Sequence, residues 1–437
     1  MRAGDARLSA MNSIFEKPSC SIVGRVLLAC ALALSVPSAL QAQAPTATQD
    51  IRTMPIRAWT PAELDVVRSL ADRYVVAHIE PTEQVEHPQV TVGARVQTSC
   101  ENVLAAVRDV AAYERFMPAM DTVSVDAASA PDLMSYTWTW QAAVFAFRGR
   151  STVLIVGDGT RGFRAVFEMV DGDLGQARRS MRATPEVTPE GAACLLTMGS
   201  HHDFRDANYL ARESEASVPT MSRSLNLVLS IALITRLRGE AESRVGFMRP
   251  RIASPLGDPR RELDPAAYQA LLWWGDMYLF ETSDGTDLGA CIAMTRMVHD
   301  EPQIRHAFFN VTTFTQGLLY GATITELGRN EHGTRYAWSV DLPFFGSSGQ
   351  LAIRDIDDHD IELEATEGAM RGGRMVLRTA PAFVGSWVTL SARLDPADGV
   401  PIVRAIESTD SAFRPGLVAS GMLMAFRGLR RGLAEGH

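Results

Sequence analysis

The 437-residue chain has no Lys/Arg-rich stripe, and 51 acidic residues outnumber 42 basic ones for a formal net charge of −9. That argues against a nucleic-acid partner, whose binding begins with a basic footprint. Catalytic signatures are missing too: there is no HExxH, no nucleophile elbow and no phosphate loop. GDGTRG (157–162) satisfies the GxGxxG spacing, but a strand-like stretch follows it. Dinucleotide binding needs a helix N-terminus there, so the segment reads as a hairpin turn. IRDIDDHDIE (353–362) lacks the glycine and terminal Glu of a calcium loop and reads as a solvated turn. His201 and His202 are adjacent in strand-like sequence. Their rings then point to opposite faces and cannot share a metal. No cofactor, metal or catalytic residue is expected from these patterns.

Cysteine is scarce, with five in all. Two precede residue 43, and the remaining Cys100, Cys194 and Cys291 are odd in number and widely spaced. That spacing suggests no disulfide framework or metal site, and small buried residues are expected. Long apolar runs are equally rare. The clearest is VLLACALALSV, preceded by Arg25 and followed by Pro37 and SALQAQAP. This is the layout of a cleavable secretory signal, with cleavage after Ala42. The run is short of the ~20 residues a spanning helix needs. LLAC around Cys30 faintly resembles a lipoprotein box, but the apolar run continues past it. Removing residues 1–42 leaves 38 basic against 49 acidic side chains, a formal charge of −11. A periplasmic or secreted protein is the expectation.

What the chain does contain is a long internal repeat. DGDLGQARRSMRATP (171–185) and EGAMRGGRMVLRTAP (367–381) match without a gap at an offset of 196. TPAELDVVRSLADRY (60–74) matches DPAAYQALLWWGDMY (264–278) at 204, and VLAAVRDVAAY (103–113) matches IRHAFFNVTTF (304–314) at 201. YTW (136–138) meets YAW (336–338) at 200, and RGEAE (238–242) meets RGLAE (431–435) at 193. A smoothly falling offset is what small loop deletions produce, so the chain holds two copies of one unit. Thr60 and Asp264 are helix N-cap types, each followed by proline at the first helical position. The expected organisation is a signal peptide (1–42), a disordered segment (43–59), one domain (60–245), a Pro- and Arg-rich linker (246–263) and a second domain (264–437). Each unit reads as a helix, a strand, a short helical stretch, several hairpin strands and a long helix. Leu225–Leu237, the apolar start of the first long helix, is too short to span a bilayer and reads as a helix packed on a sheet.

These elements carry a resemblance. VLAAVRDVAAYERFMPAMDTVSV (103–125), with its Tyr-x-x-Phe-x-Pro-like turn, and FRAVFEMVDGDLGQARRSMRATP (163–185) are similar to the polyketide cyclase/dehydrase and coenzyme Q-binding branch of the START-like helix-grip superfamily. The likeness covers most of residues 90–245 and, through the repeat, about 288–437. The second copy has GLLYG (317–321) where the Phe-x-Pro turn would be. The resemblance implies an α+β fold in tandem, each antiparallel sheet wrapped around a long C-terminal helix. Between sheet and helix it implies a cavity for a lipid, sterol, quinone or polyketide. Many branches bind or carry such ligands; a few are cyclases or aromatases.

Alternation sorts the strand faces. Phe163, Ala165, Phe167 and Met169 share one face, as do Ile361, Leu363 and Ala365. Met181 and Ala183 oppose Arg178, Ser180 and Arg182; Met375 and Leu377 oppose Arg374 and Arg378. The repeated arginines therefore point outward. A hairpin centred on Asp173 sets Glu168 opposite Arg178, and one centred on Ala369 sets Glu364 opposite Arg374. Such cross-strand pairs contribute ~0.2–1 kcal/mol and help fix register. Tyr136, Trp138 and Trp140 share a face, as do Tyr336, Trp338 and Val340. The candidate ligand-binding residues are Tyr136, Trp138, Trp140, Phe163, Phe167, Met181, Tyr336, Trp338, Leu363, Met375 and Met424. Met422 and Phe426 lie beside Met424 on the last helix. The expected partner is a hydrophobic small molecule or lipid, with transient membrane contact. A cyclase-like enzyme and a ligand-free interaction module are the alternatives.

Overall fold

Among the described residues, sixteen antiparallel strands form one sheet, and their order displays the repeat directly. The computed structural model describes residues 50–80, 87–142, 145–209, 212, 221–249, 265–281, 291–310, 322–330, 333–342, 345–393 and 411–434. The signal sequence, Asp264 and most of the linker lie outside the described residues.

The first copy runs α1 (Pro61–Leu70), β1 (Tyr74–Ile79), β2 (Val90–Val96), α2 (Cys100–Arg108) and α3 (Tyr113–Phe116). Six strands follow: β3 (Met120–Val125), β4 (Leu133–Ala142), β5 (Phe145–Gly159), β6 (Gly162–Gly172), β7 (Gln176–Thr188) and β8 (Gly191–Asp203). The long helix α4 (Met221–Ser243) closes the unit. The second copy repeats this with α5 (Gln269–Leu272), β9 (Asp276–Glu281), β10 (Cys291–Met297) and α6 (Glu301–Phe309). Its strands are β11 (Ala322–Asn330), β12 (Gly333–Leu342), β13 (Phe345–Asp355), β14 (Asp360–Gly368), β15 (Arg374–Pro381) and β16 (Ser386–Arg393), before the long helix α7 (Arg414–Ala434).

Local sequence explains these elements. Thr60 caps α1 in a reciprocal capping box with Glu63, and Pro61 opens the first turn. In the second copy the same opening begins as a 3₁₀ turn, Pro265–Tyr268. GDGTRG is the β5–β6 hairpin, with Gly159 paired to Gly162 and both at positive φ. Glu168 does sit opposite Arg178, at 3.3 Å, and Glu364 opposite Arg374, at 3.4 Å. The acidic turn departs from expectation. Its exposed tip is solvated, but Asp360 is buried and paired with Arg378, and Glu362 is buried against Arg354.

The joint between the copies was not expected. Each unit has two strands, not one, ahead of its helical stretch, and the first of each, β1 and β9, pair with one another from Tyr74↔Glu281 to Ile79↔Asp276. YVVAHI is buried at every position because both its faces are covered. Val75, Ala77 and Ile79 join the core beneath the long helices, while Tyr74 and Val76 meet Trp59, Val67, Leu271 and Leu272 on the other side. Burial on both faces explains the near-continuous apolar run, which His78 interrupts. The long helices also touch: a Cβ on Gly416 would come within 2.7 Å of the Val228 backbone, so only glycine allows that approach.

Two further readings need correction. Cys100 and Cys194 form a disulfide, and Cys291 remains a buried free thiol. Residues 50–59, expected to be disordered, pack with Ile51, Met54 and Trp59 buried. Arg178 holds this segment by donating to the carbonyls of Arg52 and Met54, so it is more than half of a cross-strand pair. Among the described residues, no helix is long and apolar enough to cross a membrane.

Candidate functional site

The inner face of the first copy, the side toward α4, is built by alternation along β4–β8. Met134, Tyr136, Trp138 and Trp140 alternate with outward Ser135, Thr137 and Thr139. Phe163, Ala165, Phe167 and Met169 do the same on β6. Their exposure follows a gradient. Val92, Ala94 and Leu196, on the strands beneath α4, are fully buried at 0%. Tyr136, Trp138, Trp140, Phe147, Phe167 and Met169 each retain 6–9%. Large aromatics are seldom fully covered, and here they gather on one part of the inner face. The wing formed by β4–β7 is therefore lined by aromatics that nearby atoms do not fully cover. Phe163 and Met181 fall on the packed side of the gradient, at 4% and 1%.

Aromatic edges shape this region. Tyr113 meets Tyr136 edge-on at 5.8 Å and donates its hydroxyl to the Val107 carbonyl. Trp138 lies over Gly149, where any Cβ would collide with its ring, and its Nε1 donates to Ser151 Oγ at 2.9 Å. The second copy repeats the arrangement, with Trp338 over Gly349. Trp140 packs on Phe147 at 5.4 Å and, edge to face, on Phe413 at 5.7 Å. Phe413 comes from the lead-in to α7, so the second copy contributes to the first copy's wall.

Polar groups share that inner face. Arg179 lies in register between Phe167 on β6 and Ser200 on β8. The reading that the repeated arginines face outward holds for Arg178 and Arg182, but Arg179 shares Met181's face. Ser200 bonds to Asn226 Oδ1 and Ser230 Oγ of α4, both at 2.9 Å. His201 and His202 face opposite ways, as expected. The His201 ring meets the carbonyls of His87 and Pro55, whereas His202 stacks on Phe204 and sets Nε2 against the Leu174 carbonyl. A carbonyl only accepts, so His202 Nε2 carries the proton. Burial, with help from the Arg179 charge, holds its pKa down to about 3. Burial pushes Tyr136 up to about 12.

In the second copy, Tyr336 and Met375 are nearly buried, while Trp338, Leu363 and Met424 are half-buried. The strand order puts Tyr336, Trp338, Leu363 and Met375 on the opposite wing of the sheet from the first group, and Met424 lies on α7. The candidates thus form two separate surfaces. A groove of about 1000 Å³ elsewhere is lined largely by outward residues such as Thr137, Thr139, Arg148 and Arg150, and it reaches Trp138.

In each copy two strands precede a helical stretch, six antiparallel strands follow it, and a long helix closes the unit on their inner face. This is a tandem START-like helix-grip fold. No family model matches the chain, and no curated protein matches it. Among solved structures, the START-like fold is similar to the Zhui aromatase/cyclase from Streptomyces, at 16% identity and a TM-score of 0.31, covering 37% of this chain and 96% of that one. It is also similar to the di-domain ARO/CYC StfQ of the steffimycin biosynthetic pathway (9%, TM-score 0.25, 78% and 98% covered). A third is the STAR-related lipid transfer protein fragment from Xanthomonas axonopodis (14%, TM-score 0.28, 39% and 99% covered). The START-like assignment rests on the element order, not on these scores.

Proposed function

We propose that the protein binds a hydrophobic small molecule, of the size of a lipid, sterol or quinone, between the sheet and the long helix of the first copy. The observation that supports this is the exposure gradient on the inner face, where large aromatics on β4–β6 keep accessible surface that the strands beneath α4 lack. Burial supplies the affinity at ~0.8 kcal/mol per CH₂, so an eight-carbon stretch contributes ~6 kcal/mol before the cost of association. The polar groups favour holding a ligand over turning one over. Tyr136 stays protonated and His202 stays neutral at neutral pH, so neither readily exchanges a proton with a substrate.

We further propose export to an oxidising compartment and transport of apolar cargo there. The Cys100–Cys194 disulfide supports that setting, because such bridges are rare in reducing cytosol. Organic extraction of the purified protein followed by mass spectrometry tests the binding reading. A bound lipid-like compound is expected. Clean extracts together with no uptake in titration would favour the interaction-module alternative.

A further inference from the structure

The two copies differ on their inner faces in a consistent direction. In the first, Ser151 sits between Tyr136 and Met169, and Arg179 between Phe167 and Ser200. At the same places in the second copy, Leu351 sits between Tyr336 and Ala365, and Met375 between Leu363 and Ala392. The helices follow suit. Aligned on RGEAE and RGLAE, Asn226 and Ser230 of α4 correspond to Ala419 and Leu423 of α7. Each of these polar positions of the first copy is therefore apolar in the second.

Arg179 is the costly member of this set. Its Nε is sealed from solvent with no hydrogen-bond partner among the described residues. The side chain as a whole is nevertheless only half-buried. It is enclosed enough for burial to lower its pKa to about 10. That combination is what a side chain bordering the proposed hollow would show. Among the described residues the charge has no carboxylate partner, and the groups it interacts with electrostatically are Tyr136 and His202. An enclosed cation without a counter-ion is unfavourable for folding alone, so a bound anion is its natural complement.

We propose that Arg179 anchors the carboxylate of an amphiphilic ligand whose apolar chain runs along Tyr136, Trp138 and Phe167, and that only the first copy recognises such a head. The inference rests on the reading that this hollow holds a ligand. A guanidinium fork matches a carboxylate in geometry and in its single charge. A phosphate monoester, at −1.5 to −2 near neutral pH, would leave excess negative charge enclosed.

The test compares hexadecanoate with hexadecan-1-ol, by titration against delipidated full-length protein at pH 8, in the parent and in Arg179→Met. Methionine is the second copy's own residue at this position, so the variant is expected to fold and to melt no lower than the parent. The parent should bind the acid at least tenfold more tightly than the alcohol. R179M should bind the two within about threefold of each other while keeping its affinity for the alcohol. Equal binding of acid and alcohol by the parent, or a preference that survives in R179M, overturns the anchor and leaves the hydrophobic-carrier reading intact. Failure of the parent to bind either probe overturns both. Tighter binding of hexadecyl phosphate than of hexadecanoate would overturn the carboxylate assignment.

Discussion

Replacing Cys100 and Cys194 together by alanine should destabilise the first copy severely. The bridge joins residues 94 apart, which encloses the strands β3 to β7 and the start of β8 as far as Cys194. Loop-closure entropy for a ring of that length corresponds to about 4.7 kcal/mol at 25 °C. Both cysteines are buried, at 2% and 0%, so alanine replaces them without exposing a polar atom. Alanine is preferable to serine here, because a buried hydroxyl without a partner adds its own cost. With a urea m-value of about 2–3 kcal/mol/M, the midpoint should fall by about 2 M. Urea melts followed by circular dichroism would measure it. A thiol count gives an independent check: in guanidinium without reductant, protein lacking residues 1–42 should show a single reactive thiol, Cys291. Three reactive thiols, or a double variant within 1 kcal/mol of the parent, would refute the reasoning.

Arg178→Ala should cost about 1–2 kcal/mol, above the ceiling for a simple cross-strand pair, because two backbone hydrogen bonds to Arg52 and Met54 go with it. Limited proteolysis should then cut near Met54 sooner than in the parent; unchanged cleavage would place residues 50–57 elsewhere. Stability should also fall in mild acid. His78 and His202 are buried with pKa values lowered to about 4 and about 3, so the unfolded chain binds protons below pH 6.5 that the folded one refuses. Their contribution is complete above pH 6.5, and between pH 7 and 5 a loss on the order of 4 kcal/mol is expected. His202→Phe should roughly halve that dependence, and a flat pH profile in the parent would contradict it.

How far the sequence carries this account depends on the distance over which each feature is set. The register of Glu168 against Arg178 was readable because a hairpin and its apolar alternation fix it locally. The alternation of Tyr136, Trp138 and Trp140 was readable for the same reason. The β1–β9 joint was not, since YVVAHI is a short apolar run that periodicity alone cannot assign, and its partner lies 200 residues away. The disulfide escaped because three cysteines at wide spacing carry no pairing information. Arg179 is the instructive miss. The alternation that turns Met181 inward turns Arg179 inward too, but the residue was hidden beside Arg178 in a segment read for its repeated arginines.

The most direct test of a ligand-holding hollow in the first copy is lipid occupancy in the parent and in Phe167→Asp, measured by mass spectrometry of organic extracts from equal amounts of folded protein. Phe167 lies on the inner face in register with Val153 and Arg179. An aspartate there would set a charge beside the ligand's apolar chain, or pair with Arg179 and take the anchor away. The account predicts a bound apolar compound in the parent and little or none in the variant. Equal occupancy in the two would contradict it.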